Sequence, residues 1–274
     1  MSPMQLPISV FIIAKNEADR IPSAIRSVVE WVDEVIVVDS GSTDDTVNVS
    51  TALGARTLHR DWTGYGEQKV FGESQCRNDW VLNIDADEEI TPALRDEILA
   101  AFRATSPHAA YTLPILPLYP FQDHGHAWTA FHHPVRLYRR SCAGFSSSPV
   151  HDTVQLRTES VGHLRGMVNH RSFRSLSHHV EKLNGYSSAQ AEDRFQKGRA
   201  PSFAALLLTP PLAFLKSFFL RREFVNGIDG VIVSYMYAFQ RFIRLAKTRE
   251  RFRLARHQKV ARARIAVAAP RPGQ

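Results

Sequence analysis

Cysteine is scarce, with only Cys76 and Cys142 in a chain of 274 residues. Two thiols cannot build the dense disulfide framework that staples small secreted domains, and the count suits a reducing compartment. No basic segment precedes the first apolar stretch, which is short and reads as a strand, so no secretory signal is expected. Internal repeats and low-complexity tracts are also missing, which argues against a solenoid or a disordered tract. Acidic residues run out toward the C-terminus. From Arg194 onward, 17 Lys and Arg face three acids, Glu223, Asp229 and Glu250. The whole chain carries +7, so residues 1–193 are net acidic. Such asymmetry calls for an anionic partner at the C-terminal part.

What is present is a chain long enough for one ordinary domain and an appendage. Leu6–Ala14 is a buried strand by its continuous apolar character. Pro22 opens a helix with Ile25, Val28, Val29 and Val32 on one face. Val35–Val38 is a second buried strand, and Ser42 with Asp45 has the spacing of a capping box for a following helix. A short strand lies near Arg56–Leu58, and Trp80–Ile84 is the next long one. Apolar strands alternating with helices predict an α/β fold, a mostly parallel sheet covered on both faces. Three polar clusters follow three strand ends: Lys15–Glu17, Asp39–Asp45 and Asp85–Glu89. Open α/β sheets bind ligands at that edge.

The cluster Asn83-Ile84-Asp85-Ala86-Asp87-Glu88-Glu89 is the most telling. On an extended chain, residues two apart point the same way, which would set both aspartates on one side. One or two carboxylates plus substrate phosphates are the usual shell of Mg²⁺. The plainer alternative is a solvated acidic turn ahead of a helix starting at Thr91-Pro92.

Ala14-Lys15-Asn16-Glu17, Val37-Val38-Asp39-Ser40-Gly41-Ser42-Thr43-Asp44 and Asn83–Glu88 resemble the three signatures of the family 2 inverting glycosyltransferases. Gly64-x-Gly66-x-Gln68-Lys69, Pro149-Val150-His151-Asp152, Asn169-His170-Arg171-Ser172 and Glu181-Lys182-Leu183-Asn184 are similar to the branch holding the lipopolysaccharide-core β-1,4-glucosyltransferases. The resemblance covers roughly residues 6 to 250 and implies a GT-A type, Rossmann-like sheet flanked by helices. It implies a UDP-sugar donor, with a hexose such as glucose, and a Mg²⁺ or Mn²⁺ cofactor. Asp39 would accept from uracil N3–H, and Glu17 would face the base or ribose. Asp85 would contact the ribose or join Asp87 at the metal. Lys69 is expected on the phosphates, or as an ordinary lysine near a helix start. His170 would complete the metal shell or touch the diphosphate, or be structural. Asp152 stands where the branch carries Glu and would be the general base, with Glu88 and Glu89 as alternatives. The expected organisation is a catalytic domain over 1–172, a helical region over 173–250 and a basic flexible tail over 251–274.

Phe203–Leu220 is strongly apolar, and Val231–Phe239 leads into a basic helix. Apolar faces beside Lys and Arg describe an interfacial helix, drawn to an anionic membrane surface. Pro210-Pro211 and Lys216 argue against a membrane-crossing segment. The alternative is a pair of core helices. A cytoplasmic protein, peripheral on the inner face of a bacterial membrane and acting on a glycolipid such as lipopolysaccharide inner core, follows from the resemblance and the tail together. No nucleic acid partner is expected. His124, His126, His132 and His133 lack the Cys partners of a zinc site, and Phe121–His133 reads as an acceptor-side loop. Arg136, Arg139 and Arg140 would meet an anionic acceptor or decorate an edge strand. Two other classes fit less well. A sugar nucleotidyltransferase would open on a Gly-rich basic phosphate loop, which Ala14–Asp19 is not. A non-catalytic basic binding protein leaves the three acidic clusters unexplained.

Overall fold

A computed structural model describes residues 5–268, apart from 105–107, 121, 123–124, 130–131, 147–152, 158–159 and 173, with side chains to residue 259. The chain divides after Ser172 into two compact units.

In the first unit, β1 (Leu6–Ala14), β2 (Val32–Asp39), β3 (Arg56–His59) and β4 (Trp80–Asn83) run parallel to one another. β1 sits between β2 and β4, so the order reverses across it, and the β1/β4 boundary is the crevice where such sheets take ligands. Beyond β4 the sheet continues through β8 (Val135–Arg139), β6 (Ala110–Thr112) and β11 (Val161–His163). β8 is antiparallel to both neighbours, which leaves the sheet mostly parallel.

The alternation of side chains along β1 feeds two cores. Ile8, Val10 and Ile12 pack with α1 (Ile21–Arg26) and with Leu94 and Ile98 of α4 (Pro92–Arg103). Phe11, on the opposite face, packs with Ile36, Val38, Val81 and Tyr138. This is why β1 and β2 are apolar at successive positions: both faces are covered. α3 (Tyr65–Ser74) lies close over the second face, where a Cβ on Gly72 would come within 2.8 Å of the Phe11 ring.

Several local expectations are corrected. α1 stops at Arg26, and Val32 already belongs to β2, so the apolar spacing of Val28 and Val29 marks a packed turn. α2 (Thr46–Ala52) begins after Asp45, which makes no side-chain cap bond. Ser42 is drawn to Asp39 instead, so the capping box does not form. Asp85 and Asp87 do not lie on extended chain. The Glu88 N–H donates to the Asp85 carbonyl at 3.0 Å, closing a tight turn into β5 (Glu88–Ile90). Thr91, as expected, caps α4 by accepting from the Leu94 N–H. A second, smaller sheet places β12 (Val168–His170) between β5 and β7 (Ile115–Pro117), with His170 directly across from Glu88. β9 (Ala143–Phe145) pairs with β10 (Val154–Leu156).

The second unit is helical. α5 (Leu176–Gln196) starts at Ser175, whose hydroxyl accepts from the His178 N–H, and packs on α7 (Gly227–Ala268). There the Lys247 ammonium donates to the Asn184 carbonyl and to the Ser187 and Ser188 hydroxyls, all within 2.9 Å. α6 (Phe203–Leu215) contains Pro210 and Pro211 within the helix, and a π-helical turn over Lys216–Leu220 continues it. The prolines thus cost backbone hydrogen bonds without ending the helix. By length and composition alone, Phe203–Leu220 could cross a membrane, and 11 % of it is buried. It is not a core helix: Phe203, Leu207, Leu212 and Leu220 are each at least 60 % exposed. α7 runs on to Ala268 through the segment expected as a flexible tail. Residues 231–268 contain no Pro or Gly, and their Ala, Arg, Lys and Leu are strong helix formers.

Candidate active site

The loops after β1, β2 and β4 meet at one end of the sheet. Ala14 pairs with Asp39 across β1 and β2, which sets the first two loops level. Asn16 takes a left-handed backbone (φ 56°), where Asn is among the few side chains tolerated. Its side-chain oxygen accepts from the Thr43 N–H at 2.7 Å, and its own N–H donates to the Ser42 hydroxyl at 2.8 Å. The Glu17 N–H donates to the Thr46 hydroxyl at 2.8 Å, and the Ala18 N–H to Asp44 at 3.1 Å. The two loops therefore clasp each other, with Asp39 buried beneath them. The Asp39 carboxylate accepts from the Gly41 and Ser42 N–H groups at 2.9 Å each and from the Ser42 hydroxyl. Gln68, on α3, ties this edge to the next by donating to the Ser40 hydroxyl and to the Arg60 and Asp61 carbonyls.

The aspartate pair separates into two clusters. Asp85 has Lys69 Nζ 3.0 Å from Oδ1 and Arg136 Nη2 3.2 Å from Oδ2. Burial resists its ionisation, but the two cations outweigh that cost and hold its carboxyl well below the usual range. Arg136 also donates to Asn83 Oδ1 at 2.6 Å and to Glu88 Oε1 at 3.0 Å, and Glu88 Oε2 accepts from the Asp85 N–H at 2.8 Å. Glu88 is 2 % exposed, and burial, aided by the Asp85 charge and opposed by Arg136, pushes its carboxyl up. That removes Glu88 from contention as a solvent-facing base. Glu89, opposite Asn169 in the small sheet, is half-buried.

Asp87 turns the other way. Its Oδ1 lies 3.5 Å from His170 Nε2, and its Oδ2 accepts from Arg20 Nη1 at 3.2 Å. Arg20 grips Glu17 through two bonds of 2.7 Å and donates to the Arg171 carbonyl at 2.9 Å. Burial opposes the charge on Asp87, but His170 and Arg20 more than compensate and lower its carboxyl. Burial likewise works against protonation of His170, and the carboxylate of Asp87 overrides it and raises the imidazole.

Of the residues expected at the site, Glu17, Asp39, Lys69, Asp85, Asp87 and His170 all gather at this edge. Three roles change. Lys69 is 1 % exposed, so its ammonium sits behind Asp85 and not at the surface for phosphates. Asp85 balances Lys69 and Arg136, one at each oxygen, as Asp87 balances His170 and Arg20, and keeps 31 % of its side chain exposed. Arg136 lies on the central strand β8, not on an edge, and is built into the aspartate turn. Arg139 lies over Trp80, and Arg140 donates to the Glu73 carbonyl. Asp152, expected as the base, lies outside the described residues, as do His124 and His151. Arg20 was missed as a site residue, and Arg136 was expected at an acceptor or on an edge strand and not at the aspartates. Nothing in their local sequence sets them apart, since it is sheet order and helix placement that bring them to the aspartates.

Among the described residues no three His, Cys, Asp or Glu side chains converge as a metal cluster. Asp87 offers a hard oxygen donor and His170, once it loses its proton, a borderline nitrogen donor, a set that would fit a Mg²⁺ or Mn²⁺ ion taking its remaining oxygens from phosphate and water.

The family model for Glycosyl transferase family 2 matches residues 9–142, from within β1 through β8, and takes in all three strand-end loops. An uncharacterised glycosyltransferase of Rickettsia typhi is 43% identical over 253 residues, covering 89% of this chain and 87% of its own. The lipopolysaccharide core biosynthesis glycosyltransferase LpsC of Rhizobium meliloti is 31% identical over 266 residues, covering 91% of this chain and 94% of its own. Among solved structures, glucosyl-3-phosphoglycerate synthase of Mycobacterium tuberculosis, in complex with Mn²⁺, UDP and phosphoglyceric acid, aligns with a TM-score of 0.42. It is 24% identical and covers 62% of this chain and 72% of its own. The full-length identity to glycosyltransferases, over a sheet whose strand-end loops carry the family's acidic signatures, makes this chain a glycosyltransferase of family 2 with the GT-A type of fold.

Proposed function

We propose that the protein transfers a hexose, with glucose favoured, from a UDP-sugar to a hydroxyl of a cell-surface glycolipid, with inversion at the anomeric carbon. The observation that carries this reading is the convergence of Glu17, Asp39, Asp87 and His170 at one end of the sheet, beside the point where strand order reverses. The likeness to LpsC over nearly its whole length supports lipopolysaccharide inner core as the acceptor.

In this reading Asp39, fixed by the Gly41 and Ser42 amides, accepts from uracil N3–H. Glu17, held by Arg20, lines the base and ribose side. Asp87 and His170 hold the divalent ion, which when bound offsets the charge of the departing diphosphate. Asp85, Lys69, Arg136 and Glu88 form the buried support that fixes the turn carrying Asp87. Asp152 takes the proton from the acceptor hydroxyl as its oxygen bonds to the anomeric carbon. The bond from that carbon to the UDP oxygen breaks on the opposite face, so an α-linked donor yields a β-glycoside and UDP. Nucleotide-sugars are cytoplasmic, which puts the reaction at the inner face of the bacterial cytoplasmic membrane, with the second unit at the lipid.

Purified protein incubated with UDP- and GDP-hexoses and Mn²⁺ tests the donor. UDP release from UDP-glucose, accelerated by deacylated lipopolysaccharide core, is expected. Equal indifference to all the sugar nucleotides would overturn the proposal. Asp152→Asn should lower kcat by roughly 10²-fold with donor binding unchanged, as loss of a general base requires.

A further inference from the structure

The second unit holds a group of cations, Arg221, Arg241 and Arg244, that make no ion pair among the described residues. Tyr237, Arg241 and Arg244 lie at i, i+4 and i+7 on α7 and so share one face. The Arg241 guanidinium donates to the Tyr237 hydroxyl at 2.7 Å and stacks 4.8 Å from the ring centroid. Arg221, at the end of the π-turn, covers the same ring at 4.5 Å. Arg194, on α5, donates to the Arg199 carbonyl at 3.4 Å and adds like charge toward Arg244, and Lys216 adds charge toward Tyr237. Two ion pairs of this unit, between Lys197 and Asp193 and between Arg251 and Glu192, lie elsewhere. The Nε atoms of Arg194 and Arg244 are buried without a hydrogen-bond partner.

Like charges brought together and partly withdrawn from water are costly unless an anion joins them. The arrangement already carries that cost: burial first, then Arg241 and Arg194, lower the Arg244 guanidinium below its usual range. A planar guanidinium is suited to phosphate, which it can meet with two parallel N–H donors.

The surroundings name the source of the phosphate. Leu220, directly before Arg221, is 72 % exposed, and Phe219 is 57 % exposed. Leu212 and Leu215 extend the exposed apolar row along α6, and Phe214 packs on Tyr235 of α7 at 4.7 Å. A free phosphate has no use for such a row, whereas a lipid has an anionic head and apolar chains in the same order.

We propose that Arg221 and Arg241 at the Tyr237 ring, with Arg244 beyond them on the same face of α7, form a binding site for the phosphate of an anionic lipid headgroup, with the acyl chains against the exposed face of α6. The proposal rests on the reading that the second unit meets a lipid surface, and the test separates the two.

Full-length protein and two variants, Arg221→Gln and Arg241→Gln/Arg244→Gln, are sedimented with vesicles of phosphatidylcholine alone or with 30 mole per cent phosphatidylglycerol, a composition of about one anionic headgroup in three. UDP and Mn²⁺ binding is measured in parallel. The wild type should partition onto the phosphatidylglycerol vesicles, and the double variant at least roughly tenfold less. Arg221→Gln, at an exposed position, should weaken partition in the same direction and keeps the test open if the double variant does not fold. Donor binding should be the same in all three proteins. Equal partition of wild type and variants would overturn the site and leave the membrane reading standing. A wild type that ignores both vesicles would overturn both. Millimolar inorganic phosphate that stabilises the wild type against heating without vesicle binding would reassign the site to a soluble anion and overturn the lipid assignment.

Discussion

Asp85 and Asp87 are two positions apart, yet their carboxylates serve opposite neighbours. Asp85 faces Lys69 at 3.0 Å and Arg136 at 3.2 Å, whereas Asp87 faces His170 at 3.5 Å and Arg20 at 3.2 Å. The turn closed by the Glu88 N–H separates them. Each aspartate thereby balances its own pair of basic groups, and the two belong to separate ionic clusters.

Asp87→Asn should abolish transfer and weaken Mn²⁺-dependent UDP binding, because a neutral amide is a poorer ligand for a hard cation. The fold should persist, since an amide oxygen still accepts from Arg20. Isothermal titration with UDP, with and without Mn²⁺, checks this. Wild-type turnover in EDTA would remove the metal from the reading.

Arg136→Gln should destabilise the protein by about 3–5 kcal/mol, the usual consequence of removing one partner from a buried ionic group. Glu88 would remain buried beside a partly exposed Asp85, with Lys69 and His170 as the nearby basic groups. Guanidinium melts followed by circular dichroism measure the loss. An unchanged midpoint would mean that the cluster is open enough for water to replace the arginine.

Glu73 gives a pH dependence. Burial pushes its carboxyl above the ordinary value of 4.5, although Tyr138 and the Phe145 N–H, 3.2 Å from Oε2, pull the other way. The folded protein therefore holds this proton more tightly than the unfolded chain does. The associated stability is complete below pH 4.5 and is lost as pH rises through the folded value. Glu73→Gln, which resembles the protonated form, should raise the melting temperature at pH 7.5 and add little at pH 4. A lower melting temperature at pH 7.5 would show that the carboxylate is preferred.

Cys76 should resist iodoacetamide in the native protein. Burial pushes its thiol up to about 12, and the thiolate is the reactive form. Its Sγ also donates to the Gly72 carbonyl at 3.3 Å. Peptide mass mapping after labelling at pH 8, native and in guanidinium, should find Cys76 modified only in the unfolded sample. Rapid native labelling would point to local opening between α3 and the sheet.

The strands, the ends where they stop and the acidic residues beyond them were legible in the sequence. Apolar continuity in Leu6–Ala14 and Val35–Val38 marks strands covered on both faces, and the polar clusters after them can only lie at a sheet edge. Thr91-Pro92 marked a helix start because capping is local chemistry. What tertiary structure decided is which charges meet. Arg136 is 51 residues from Asp85 and Arg20 is 67 from Asp87, and it is sheet order and the place of α1 that join them. Ser42 was diverted from its cap by Asp39, only three residues away, a local contact that the spacing rule for caps does not consider. Phe203–Leu220 read as interfacial, with a core helix as the alternative, since its composition fits either. Its exposed residues settled that it is not core, because a residue's burial depends on what packs against it and not on its own side chain.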